Sequence, residues 1–350
     1  MKATSVSSAA ISNAMRYQQG RMQVDLVKAQ KEMDTGRVAD VGLALGARTT
    51  QSVTFARDLD RLNGIVDSNA LIASRLSSTQ DALGQLVDTA QTLLSALPSA
   101  MSGDMASDIT RDSGKGALQS MTSILNTSVN GEYLFAGTNT DVKPIDDFTA
   151  PGSPAKAALD AAFLAHFGFT QDDPAAANIT TADMDDFLTN DVMPQFMGAG
   201  WQANWSSATD QQIVSRIALN ETTETSVSAN NDGVKKLAMA AAIVANLFSS
   251  STMSADARKT VASRAFSLVG EAVSNLGQVQ SQTGIIQNRV SQATDRMKTQ
   301  VDLFDKHILD LEGVDPYEAA NRVNDLMSHI QTSFALTARI QQLSLLNFLT

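Results

Sequence analysis

Apolar side chains recur along residues 55–97 at seven-residue intervals, in two interleaved series. Phe55, Leu62, Asn69, Leu76, Leu83, Ala90 and Leu97 form the first; Leu59, Val66, Ala73, Gln80, Val87 and Leu94, four positions later, form the second. Only Asn69 and Gln80 interrupt the apolar character, so the stretch reads as a coiled-coil seam. At about 1.5 Å of rise per residue it runs about 60 Å and needs a partner of similar length. The other half of the chain supplies one: Ala265, Ala272, Val279, Ile286, Ala293 and Gln300, with Val269, Leu276, Thr283, Val290, Met297 and Phe304 between them. The pattern predicts a mainly α protein whose two long heptad helices pack antiparallel as a rod. Asn69, Gln80, Thr283 and Gln300 either set register or stand where the seam meets a third element.

The flanking tracts are weaker. A stripe at Met15, Met22, Leu26, Ala29 and Met33 is interrupted by Gln18 and Asp25 and contains Gly20, which makes a helix that is marginal alone. Residues 34–46 hold three glycines and read as an irregular linker. The first long helix is expected to end at Pro98, with a second helix over 105–129 folding back beside it despite Gly114 and Gly116. Tyr133 to Thr140 reads as strand then loop, Gln212–Asn220 and Glu224–Ala229 as strands, and 233–248 as a short Ala-rich helix. Gly313 and Pro316 precede a last helix, for which Asp315, Pro316 and Glu318 predict N-cap, first turn and capping box. Val323, Leu326, Ile330, Phe334, Leu336, Ile340, Leu343 and Leu346 give that helix a wide apolar face. The expected domains are therefore terminal helices (1–48 and 313–350), a rod with short strands (49–143 and 211–312) and an insert (144–210).

Composition sharpens the insert. Five of the seven prolines and both tryptophans lie between Asp141 and Asp210, where heptads are absent. A small mixed α/β or β-rich domain is expected there, and its removal should leave the rod folded because no seam position lies inside it. A formal charge of −11 with no clustering of Lys and Arg argues against nucleic acid. No run of about 18 apolar residues indicates membrane insertion, and no cleaved signal is expected. Cysteine is absent, so disulfides, thiolate metal sites and a cysteine nucleophile are excluded. His166, His307 and His329 lie on separate segments without metal-ligand spacing, and the pairs Asp146-Asp147, Asp172-Asp173 and Asp185-Asp186 lack calcium-loop spacing. Neither a catalytic constellation nor a cofactor site emerges, and an enzyme is not expected.

The order of a weak helix, a glycine linker, a long seam, an insert, a long seam and a last helix resembles the flagellin family of bacterial axial proteins. Within it, Asn130-Gly131-Glu132-Tyr133-Leu134-Phe135-Ala136-Gly137-Thr138-Asn139-Thr140, followed by Lys143-Pro144, looks like the segment typical of hook-associated proteins at the hook-filament junction. Gln341-Gln342-Leu343-Ser344-Leu345-Leu346-Asn347-Phe348-Leu349 is similar to the Ser-Leu-Leu ending of that group. The resemblance covers about 1–140 and 215–350. Where the family has a basic turn followed by an acidic Pro-Ser-Asp-Asp-type tract, this chain has Thr35-Gly36-Arg37 and then Val41 to Gly46. It implies an extracellular structural subunit, exported by the flagellar type III apparatus, that joins hook to filament; a filament-forming flagellin is the alternative. A secreted coiled-coil adhesin or translocator would also explain rods without cysteine. The implied partners are copies of itself, another hook-associated protein, flagellin and a flagellar export chaperone. The terminal helices are expected to be loose before assembly, with contacts through Met15, Met22, Leu26, Met33, Ile330, Phe334, Ile340, Leu343 and Leu346, while Phe55, Leu62, Leu76, Leu83, Leu276, Ile286 and Met297 hold the rod.

Overall fold

The computed structural model describes residues 8–102, 107–248 and 252–346, and side chains within 10–11, 13–102, 107–248 and 252–339. In chain order the helices are α1 (Ser8–Thr35), α2 (Val41–Leu45), α3 (Thr49–Ser102), α4 (Ser107–Leu125), α5 (Pro154–Phe167), α6 (Thr181–Phe187), α7 (Met193–Met197), α8 (Gly200–Asn204), α9 (Asp232–Leu247), α10 (Ala255–Glu312) and α11 (Pro316–Leu346). Two antiparallel pairs accompany them: β1 (Ser128–Val129) with β2 (Glu132–Tyr133), and β3 (Val214–Ala218) with β4 (Glu221–Glu224). The chain forms two compact units, a terminal one of 1–64 with 297–350 and a central one of 65–296.

In the central unit α3 and α10 run antiparallel, as the heptads predict: Asn69 lies opposite Thr294, and the Gln80 Nε2 donates to the Gln280 carbonyl at 2.8 Å. Leu76, Leu83, Ala90 and Leu97 are buried, as are Ala265, Val269, Ala272, Leu276, Val290 and Ala293. The second α3 series differs from the reading. Ala73, Gln80, Val87 and Leu94 are half-buried, and the buried companions stand one position earlier, at Ile72, Thr79, Leu86 and Leu93. A helix facing several elements buries a broader stripe than a two-stranded seam requires. Ile286 is half-buried beside the smaller cluster of Ile72, Leu76, Ile217, Val290 and Ala293. Asn69 meets a third element, since its Nδ2 donates to the β3 carbonyl of Ile217 at 2.9 Å.

The reason for the wider face is α9. Thirteen of its residues are buried, from Gly233 to Leu247, and a helix apolar all round must be covered on every side. Gly114 is where α4 comes close to it: a Cβ there would stand 2.7 Å from the Ala245 nitrogen. The expected weak point of the α4 helix is thus a packing requirement.

The insert completes the cover. Its Phe148, Leu159, Phe163, Phe187, Phe196, Trp201 and Trp205 share one hydrophobic cluster with Leu83, Leu118, Leu237 and Val261, so it packs into the common core rather than around one of its own. Nor is it mixed or β-rich among the described residues: 154–204 folds as short helices, and the strand pairs lie on either side. Trp201 and Trp205 stack at 5.6 Å, and the Trp201 Nε1 donates to Asn230 Oδ1 just before α9. Upstream, Asn130 (φ 54°) and Gly131 (φ 85°) make the two-residue turn between β1 and β2, because both left-handed positions match the twist of a tight hairpin. Leu134, Phe135 and Ala136 then plunge into the core.

Two boundaries also differ. α3 continues through Pro98 to Ser102, although a proline there forfeits one bond of the helix ladder. Part of the predicted linker is ordered: Asp40 caps α2, accepting from the Leu43 N–H at 3.0 Å, and Leu45 is buried.

Candidate assembly surface

The surface is built in the terminal unit, from the helices the sequence made weakest. On α1 the positions turned inward are Met15, Gln19, Met22, Leu26 and Ala29, spaced four, three, four and three. On α11 the matching set is Ala319, Val323, Leu326, Ile330, Ser333 and Thr337. Both are heptad patterns, and they run in opposite directions. The Gln19 Nε2 donates to Ser333 Oγ and Thr337 Oγ1, each at 3.2 Å, and the Thr337 hydroxyl lies 3.7 Å from Met15 Sδ. Farther along, Arg322 Nη1 is 3.1 Å from Glu32 Oε2. Ala29, Ala319, Val323 and Ile330 are buried, while Met15, Met22 and Leu26 are half-buried.

The sequence stripe omits Gln19 because it counts apolar residues only. The four-residue step from Met15 was the available signal.

At the base of the pair, both chain crossings are joined. Val38 N–H donates to the Glu312 carbonyl at 2.8 Å and Val314 N–H to the Gly36 carbonyl at 2.9 Å, so Arg37 and Gly313 face each other as in an antiparallel ladder. The buried Glu312 carboxylate accepts from the Ser52 hydroxyl and lies 3.8 Å from Arg37 Nη1. A carboxylate at a helix C-terminus is unfavourable by itself, and these two partners offset it. Glu32 acts similarly, accepting from the Ala39 N–H at 3.1 Å. Asp315 caps α11, accepting from the Tyr317 N–H at 2.8 Å, whereas Glu318 is exposed. Beyond the ladder, α3 and α10 close the unit: Leu62 and Met297 are buried, and the Phe55 ring packs tilted against Phe304 at 5.6 Å and stacks on His307 at 5.5 Å. Gln300, expected in the seam, is exposed.

The predicted contact residues therefore divide. Ile330, Met22 and Leu26 serve the α1–α11 seam within the chain. Phe334 and Met33 face outward, 51% and 37% exposed, and Ile340, Leu343 and Leu346 lie outside the described side chains. Tyr17, Val24 and Val27 on α1 and Tyr317, Met327 and Leu336 on α11 are also exposed. Among the described residues, twelve of nineteen exposed large hydrophobic side chains belong to the terminal unit, although it is the smaller one. Charge divides too. The terminal unit carries thirteen basic and thirteen acidic residues, so the whole net charge of −11 resides in 65–296.

Residues 6–140 match the bacterial flagellin N-terminal helical region, and residues 266–349 the bacterial flagellin C-terminal helical region. A solved structure described as a flagellar hook-associated protein from Vibrio parahaemolyticus shares the fold, with a TM-score of 0.51 and 11% identity over 76% of this chain and 97% of that one. A search of the curated proteins found no match. The two matched regions contain the helix pair at the chain ends and most of the long seams: the chain belongs to the bacterial flagellin family, as a structural, non-enzymatic component of the bacterial flagellum.

Proposed function

We propose that the chain is a junction subunit between flagellar hook and filament, polymerising through its α1–α11 pair. In this reading a tier of copies meets a preceding hook-associated protein on one side and flagellin on the other. The observation that carries it is the coincidence of exposed apolar side chains and zero net charge in the terminal unit. Exposed apolar patches of this kind mark partner sites, and a neutral surface brings many copies together without the repulsion that a unit of −11 would impose. The 130–140 segment and the shared fold with a hook-associated protein favour the junction over the filament. Export by the flagellar type III apparatus, with a cytosolic chaperone covering the α11 face as an amphipathic helix in a groove, belongs to the same reading.

Deletion of the gene tests it. Hooks without attached filaments are expected, and normal filaments in the deletion strain overturn the junction role. Abundance tests the filament alternative: a junction subunit is a trace component of sheared filaments, whereas a filament-forming flagellin dominates them.

A further inference from the structure

Within the α1–α11 seam one layer is polar. Gln19 is only 8% exposed, yet its amide donates to two hydroxyls a turn apart on α11, at 3.2 Å each. A buried amide in an apolar seam is retained at a cost in stability and is best attested as a device that selects one pairing over others. Register is not what needs selecting here. The ladder between 36–38 and 312–314 ties the two helices together at their other end, so a slide of one turn would have to break it. The competing arrangement is a pairing between copies. The rest of the α1 seam consists of Met15, Met22, Leu26 and Ala29, without a hydroxyl, and the rest of the α11 seam of Ala319, Val323, Leu326 and Ile330, without an amide. Two α11 helices paired together leave Ser333 and Thr337 without the amide. Two antiparallel α1 helices bury Gln19 against methionine and leucine, and even a parallel pair, in which Gln19 meets Gln19, leaves the α11 hydroxyls unused. The Thr337 hydroxyl keeps an intrahelical partner in the Ser333 carbonyl at 2.8 Å, so the group at stake is the Gln19 amide; only α1 with α11 offers it the two hydroxyl acceptors, and an unmade buried hydrogen bond is penalised more than a made one is rewarded.

We infer that Gln19, with Ser333 and Thr337, is the specificity-determining layer that makes each α1 choose an α11 rather than the α1 of a neighbouring copy when many copies are crowded together. This rests on the self-assembly proposed above. The natural absence of cysteine supplies a clean background. Met15→Cys, introduced alone in the full chain, reports α1–α1 contact as an oxidised dimer on a non-reducing gel. With Gln19 present, little dimer is expected; with Gln19→Leu added, the dimer yield should rise several-fold while helical circular dichroism is retained. An unchanged dimer yield in a helical Gln19→Leu chain overturns the inference. Ser333→Ala/Thr337→Ala provides the second reading, because it strands the amide without widening the apolar seam. This variant should melt at a lower temperature than the parent, and identical melting overturns the inference even where Gln19→Leu fails to fold. Sedimentation of the unaltered chain under assembly conditions tests the underlying reading separately: failure to self-assemble removes the crowding that gives the layer its purpose, whatever the crosslinks report.

Discussion

At the scale of single residues, Glu221 couples the fold to pH. It begins β4 and accepts from Arg289 at 2.7 Å and Arg296 at 2.8 Å, both on α10. The Arg289 hydrogen bond, and then the charges of both guanidinium groups, hold its carboxyl below the ordinary glutamate value of 4.5. A carboxylate with a depressed folded pKa contributes stability that is present above its unfolded value and is lost as pH falls through the folded one. The contribution is therefore complete at neutral pH and disappears in acid, below pH 4.5. In urea unfolding, Glu221→Gln should have a lower midpoint than the parent at pH 7, and the two midpoints should converge as the pH falls below 4.5. A constant separation across that range would show that the pair does not tether β4 to α10. Seam polarity is a second residue-scale matter. Asn69 reads from the sequence as a register device or a meeting point; its amide reaches Thr294 across the seam and also the Ile217 carbonyl of a third element, a partner that no spacing along α3 could reveal, because it lies 148 residues away.

At the scale of elements, what the sequence announced and what it concealed have different physical origins. Period-seven patterns depend only on neighbours along the helix, so α3, α10 and their antiparallel pairing were legible. The one-position shift of the second buried series on α3 was not, because it is imposed by α4, α9 and the insert, which pack from the side. Pattern also misled about the insert: a change of composition signals a change of local structure, not independence. Phe163, Phe187, Trp201 and Trp205 cover the helix α9, which the seams alone cannot enclose. Removing 146–208 with a short linker is therefore expected to expose α9 and Leu159-facing core, abolish cooperative thermal unfolding and promote aggregation. A deletion chain that melts cooperatively near the parent temperature would restore the detachable module. By contrast, Leu276→Asp places a charge at a fully buried position, where an unpaired ion is tolerated only at several kcal/mol; loss of the central unit's melting transition is the expected outcome.

At the scale of the whole molecule, the two units have cores of unequal strength. The central one buries tryptophans, phenylalanines and a series of leucines from Leu76 to Leu97. The α1–α11 seam buries Ala29, Ala319, Val323, Ile330 and the amide of Gln19, with its larger residues only half-covered. At about 25 cal/mol per Å² of apolar surface, small and half-covered side chains return little against an ordering cost of about 1–2 kcal/mol per residue. Local opening of the pair should accordingly require far less free energy than opening α9. Hydrogen exchange of the verified monomer measures this directly: amides of 8–35 and 316–346 are expected to exchange orders of magnitude faster than those of 83–97 and 234–247. Assembly should then slow the terminal amides selectively, since contacts between copies would cover Tyr17, Val24, Met327 and Phe334 and add the burial that the isolated pair lacks. Terminal amides as protected in the monomer as those of α9 would mean that the pair is self-sufficient, and that folding at the chain ends is not coupled to joining the axis.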